Sequence, residues 1–217
     1  MQPGAEILFL AHRVPFPPNR GDKIRAHHLL RALAALAPVH VGCLTESVED
    51  CEGLTELGEL AASYCAPPRR KPLVLAGLEA LASGKPVSLT AFHARSLDDW
   101  VQHTIATRPI GAIVVFSGQM GQYVPADFTG RVIIDLCDVD SAKFAQYAAA
   151  GDRVWLNRRE ARLLAREEER LGTRADATIL ITEPEAALYR STLQNPSQVR
   201  VQVMGNGIDA GLFDPAR

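Results

Sequence analysis

Short apolar runs recur along this chain, too continuous for a half-exposed strand and too brief for a buried helix. Ile7 to Leu10 is the first, and Val39 to Leu44, Ile110 to Phe116, Val132 to Leu136 and Ala177 to Thr182 follow. Ser63 to Ala66 and Val199 to Val203 are shorter members of the set. Strands buried on both faces read this way, because helices cover both sides of a parallel sheet. The segments between them carry helical period instead. Ala26, Leu29, Leu30, Leu33 and Ala37 form one apolar stripe after the first run. Strand and helix alternate throughout, which predicts an α/β fold: a mostly parallel sheet with helices on both faces.

The helices have readable ends. Residues 46–59 predict an acidic, exposed helix opening near Ser47, and Leu73 to Leu81 a helix closed by Gly84 and Pro86. Leu97 to Thr107 is a third, with Ser96 as its N-cap. Leu156 to Leu171 is a fourth, heavily charged. Arg158, Arg162, Arg166 and Arg170 fall four apart on it, one face that reads as solvated and salt-bridged, or more sharply as membrane-facing. Glu183-Pro184-Glu185 opens a further helix, with proline near its first position. Arg69-Arg70-Lys71-Pro72 is a compact basic loop, either a solvated turn or a contact for anionic head groups or an acceptor phosphate.

Four polar clusters follow apolar runs: Arg13 to Lys23, Ser117 to Gln122, Cys137 to Ser141, and Thr182-Glu183. Strand C-terminal ends gather along one edge of such a sheet, so the four should meet at a ligand crevice. Several chemistries are disfavoured. Gly21 is the only glycine of the first loop, where a dinucleotide fingerprint needs three. No phosphate-binding P-loop and no G-x-S-x-G elbow occurs. Asp135, Asp138 and Asp140 crowd one strand end, too little by itself for a magnesium site. His27 and His28 diverge on a helix and cannot chelate one ion together. Cys43, Cys51, Cys65 and Cys137 show no metal spacing and read as reduced thiols. The net charge of −2 offers no field for nucleic acid, and no apolar run is long enough to span a bilayer.

Several segments together resemble bacterial sugar transferases of exopolysaccharide synthesis, in glycosyltransferase family 4. They are His12 to Arg25, Gly84 to Leu89, Val115 to Val124, Asp135 to Phe144 and Arg159 to Leu164. Asn206 to Asp209, with Phe213 and Pro215, is similar to a segment common across that family.

The resemblance implies a Rossmann-like fold, the N-terminal half of a GT-B architecture. Residues 1–205 would be the acceptor-binding domain, and 206–217 the start of a crossover to a C-terminal donor domain that the chain does not contain. It implies a retaining transferase that moves a sugar from a nucleotide-sugar donor to a polysaccharide or lipid-linked acceptor, inactive in this fragment alone. No cofactor and no essential metal are expected. The expected location is cytoplasmic, with peripheral contact at the inner membrane. Arg20, Gly21, Asp22 and Lys23 would approach the donor diphosphate. Asp138 and Asp140 would orient reacting hydroxyls, unless they cap the following helix. Ser117, Gln119, Ser141, Glu183, Asn206 and Gly207 would line the cleft. The family's E-x7-E signature belongs to the donor domain, so Glu160 and Glu168, which have that spacing, read as coincidence. The alternative is a stand-alone carbohydrate- or nucleotide-binding module; a nucleotide-sugar epimerase is a lesser one.

Overall fold

The computed structural model describes residues 4–207. Seven strands form one sheet: β1 (Glu6–Ala11), β2 (Val39–Gly42), β3 (Ser63–Cys65), β4 (Ile110–Phe116), β5 (Arg131–Cys137), β6 (Ala177–Leu180) and β7 (Val201–Val203). All neighbours pair in parallel, in the order β3-β2-β1-β4-β5-β6-β7. The helices are α1 (Gly21–Ala34), α2 (Val48–Glu52), α3 (Leu54–Leu60), α4 (Leu73–Ser83), α5 (Val87–Ala91), α6 (Arg95–Thr107), α7 (Asp140–Ala149), α8 (Val154–Arg174) and α9 (Glu183–Thr192).

The period of two along β1 builds two cores. Ile7, Phe9 and Ala11 pack on one face of the sheet with Ala26 and Leu30 of α1 and Leu57 of α3. Leu8 and Leu10 pack on the other with Leu97 and Val101 of α6, Leu171 of α8 and Tyr189 of α9. The unbroken apolar run is thus accounted for, since each side chain has a covered face.

The structure corrects two boundaries and adds one short helix. The acidic helix is two short ones, α2 and α3, separated at Gly53. Ser47 does cap α2, accepting from the Asp50 amide while the Asp50 carboxylate accepts from the Ser47 amide. A Cβ at Gly53 would lie 2.6 Å from the Phe16 carbonyl oxygen, so the break lets the first loop pack closely here. Ser96 is not a cap: α6 begins at Arg95, after Ala94 in extended conformation. The α5 turn was not foreseen, being too short to show a period. Gly84 ends α4 as expected, in the left-handed conformation at φ 70°.

Candidate functional site

Strand order reverses between β1 and β4, and that is where a doubly wound sheet opens a crevice. A cleft of about 320 Å³ lies there. Its walls come from three strand ends and the segments after them: His12 and Arg13 after β1, Phe116, Ser117 and Gln119 around the end of β4, and Leu136, Cys137 and Asp138 at the end of β5, with Asp140 and Lys143 on α7 behind it. Asp22 of α1 and Phe92, just after α5, complete it. Three of the four sequence clusters therefore meet. Ser117 and Cys137 hold positive φ, 76° and 64°, at the ends of β4 and β5. Non-glycine residues take that conformation at a cost, and the surroundings must hold them in it.

Asp140 is an oriented carboxylate. The Gln119 amide donates to it at 2.9 Å and the Lys143 ammonium at 3.2 Å. The Ser117 hydroxyl donates in turn to the Gln119 carbonyl. Lys143 also lies 3.7 Å from Asp138, and the two carboxylates hold its ammonium above the usual lysine range against the pull of burial. Neither acid caps α7. The N-cap is Val139, with no side-chain cap; its own amide donates to Glu185, and the Ser141 amide donates to Glu168. The capping account of Asp138 and Asp140 thus fails, because residues from α8 and α9 already satisfy that helix start.

On the opposite wall, Asp22 accepts from Arg13 at 2.7 Å and lies 3.2 Å from His12 Nε2. Those hydrogen bonds, first that of His12, hold its carboxyl well below the usual range. Arg13 also donates to Glu46 at 2.8 Å, and Arg69 reaches the other Glu46 oxygen at 2.6 Å. The Arg69 guanidinium lies over the Phe92 ring, 4.8 Å from its centre. His12 stacks on Phe116 at 5.7 Å. The wall is prearranged by ion pairs and stacking.

Other expected residues fall elsewhere. Lys23 is buried, its ammonium 2.5 Å from Asp50 and bonded to the Phe16 carbonyl, and it points into the protein rather than into the cleft. Ser141 is buried and spends both its amide and its hydroxyl on Glu168. Glu183 is an exposed first residue of α9, lining no described cavity; Glu185 turns inward instead. Arg20 precedes α1 and is exposed, 3.6 Å from Asp22. Gly21, Asn206 and Gly207 line a separate, more apolar groove of about 500 Å³, with Arg25 and Leu29 of α1. Arg25 links the two regions. It donates to the fully buried Asp135 at 2.9 Å and to the Asn206 side chain at 2.8 Å. Asp135 is thereby taken from the other two acids, and no cluster of three metal-ligating side chains forms among the described residues. Asp209, Phe213 and Pro215 lie outside the described residues.

Arg13 lies in the cleft with the cluster it opens, whereas His12, Phe92 and Lys143 carried no such expectation. His12 follows the first strand directly, a signal that points to the same edge. Phe92 gave none, since it reaches the cleft from a long excursion between β3 and β4.

No protein-family model and no curated protein matches the chain. Solved structures do. A sucrose-phosphate synthase from Thermosynechococcus elongatus is similar at 16% identity and a TM-score of 0.57, over 96% of this chain and 49% of that one. TcCGT1, solved in complex with UDP, is similar at 14% identity and a TM-score of 0.52, over 97% of this chain and 54% of that one. The chain spans about half the length of these structures. The fold is Rossmann-like, as in one half of GT-B glycosyltransferases.

Proposed function

We propose that this chain is the acceptor-side half of a glycosyltransferase that moves a sugar from a nucleotide-sugar donor to a glycan or lipid-linked acceptor. One observation carries the reading. Asp138 and Asp140 stand at the switch-point cleft free of any capping duty, and Asp140 is oriented there by Gln119 and Lys143. Neighbouring carboxylates, one of them oriented, suit hydroxyl groups of a sugar or acceptor, which donate to them.

UDP in the TcCGT1 structure suggests a nucleoside diphosphate as the leaving group. In this reading a donor domain beyond Gly207 supplies most of the nucleotide contacts, and the present half faces its diphosphate. Exposed Arg20 and half-buried Lys143 are the cations placed to meet that charge, a task that electrostatic preorganisation performs without a metal. Transfer is read as retaining, from the family 4 resemblance alone, and no protein nucleophile is assigned.

The test uses the full-length protein, a screen of nucleotide-sugar donors and mass-spectrometric detection of product. Asp140→Asn should lower turnover about 100-fold, the cost of misplacing a reacting group, with the melting temperature unchanged. Undiminished turnover in that variant would remove Asp140 from the site.

A further inference from the structure

Helix α4 turns an apolar face outward, against the rule for surface helices. Ala76 and Ala80 pack toward the protein. The opposite side carries Val74, Leu78 and Leu81, exposed by 77%, 61% and 55%, with Leu73 and Leu75 exposed beside them. Glu79 is the only charge on the helix, and Lys71 holds it at 2.7 Å. Single exposed leucines are ordinary; a contiguous helix face of them marks an interaction site.

Cations frame this face. Arg70 and Lys85 are exposed at its two ends. Arg159 of α8 donates to the carbonyls of Ala80 and Lys85, at 2.8 and 3.1 Å, which sets α8 against the end of α4. Residues 155, 158, 159 and 162 share one side of a helix, so Trp155, Arg158 and Arg162 flank the same surface. Trp155 is 69% exposed. Arg158 and Arg162 are exposed too, and among the described residues the ion pairs in this region are Lys71–Glu79 and Arg170–Glu167, which involve neither. The chain as a whole is slightly acidic, at −2, so this positive frame is local.

We propose that α4, with Trp155 and the flanking cations, docks on an anionic lipid bilayer, its apolar face sunk to the boundary between head groups and acyl chains. A bilayer takes apolar side chains and supplies anions at the same surface. A second copy fits worse, because a two-fold contact would set this cationic frame, Arg70, Lys85, Arg158 and Arg162, against the same frame of its partner. At 11 residues α4 would lie in the interface, and no described helix is long and apolar enough to cross a membrane. The excursion that carries α4 leaves at Arg69 and returns at Phe92, which meet beside the cleft. Docking would therefore bring the cleft mouth to the membrane, within reach of a lipid-linked acceptor. That consequence rests on the transfer reading; the docking itself does not.

The experiment is sedimentation of the full-length protein with vesicles of phosphatidylcholine plus phosphatidylglycerol, against phosphatidylcholine alone. Binding should need the anionic lipid, fall at raised salt, and shift Trp155 emission to the blue, a change absent in Trp155→Phe. Leu78→Glu with Leu81→Glu, and separately Arg158→Glu with Arg162→Glu, should each weaken binding at least about tenfold at an unchanged melting temperature. Failure to sediment with anionic vesicles overturns the proposal, as does equal binding by the parent and the double-leucine variant. A concentration-dependent dimer that this variant dissolves, with vesicles ignored, would assign the face to a second copy instead. Donor turnover is not a readout here, so failure of docking and failure of the transfer reading are told apart.

Discussion

Lys23 follows a stretch of charge and turn residues, where a lysine reads as a phosphate ligand. It is instead a buried strut, 2.5 Å from Asp50, joining α1 to α2. Removing one partner of such a pair leaves an uncompensated charge, so Lys23→Ala should cost about 3–5 kcal/mol of stability in urea titration. Glu168 is a second buried charge-bearing group. Burial pushes its carboxyl up to about 7, although the Ser141 hydroxyl and amide pull it down. A raised carboxyl keeps more protons folded than unfolded, so its contribution is full below its ordinary value near 4.5 and is lost as pH rises toward 7. Glu168→Gln should therefore flatten the fall of stability between those values. Denaturant titrations across that range would show it, and a slope equal to the parent's would refute it.

The long helix α8 is an organising element whose role its charge pattern concealed. Its four arginines at spacing four do share an exposed face, as the period predicted. The expected ladder of salt bridges is confined to Arg170 with Glu167. The glutamates matter more. Glu160 accepts the amides of Val87 and Ser88 at the start of α5, both at 2.8 Å, and Glu168 does the same service for α7. Carboxylates stabilise helix N-termini because four amides there lack intrahelical partners. The spacing shared by Glu160 and Glu168 is thus structural. Glu160→Ala should cost about 1–3 kcal/mol, the penalty of stranded amides. It should also speed hydrogen exchange at Val87 and Ser88 with little change at β1.

At the scale of the molecule, the site is a product of strand order. His12, Gln119 and Asp140 are far apart in the chain and meet because β1, β4 and β5 lie side by side. Arg25 adds a link from Asp135 beneath this cleft to Asn206, where the described chain leaves the sheet. On the transfer reading, this cleft is the acceptor side of the site and makes few contacts to the nucleotide. The 217-residue chain alone should give no saturable heat with any nucleotide sugar at about millimolar concentration in calorimetry. Tight binding would mean that the donor site is already complete in this half.

The sequence by itself determined the strands and the longer helices. Burial on both faces demands unbroken apolar runs, and amphipathic helices leave a stripe, so the parallel α/β class, the seven strands and Ser47 as a cap were legible. It also placed the polar clusters at strand ends. Only the tertiary structure decided which of those residues face the cleft. Lys23 and Ser141 turned inward because Asp50 and Glu168 waited there, partners 27 residues away in each case. Phe92 and Arg69 turned toward the cleft because an excursion of unreadable path folded back. The apolar outer face of α4 was likewise hidden, since a helix apolar all round reads as core until its surroundings are known.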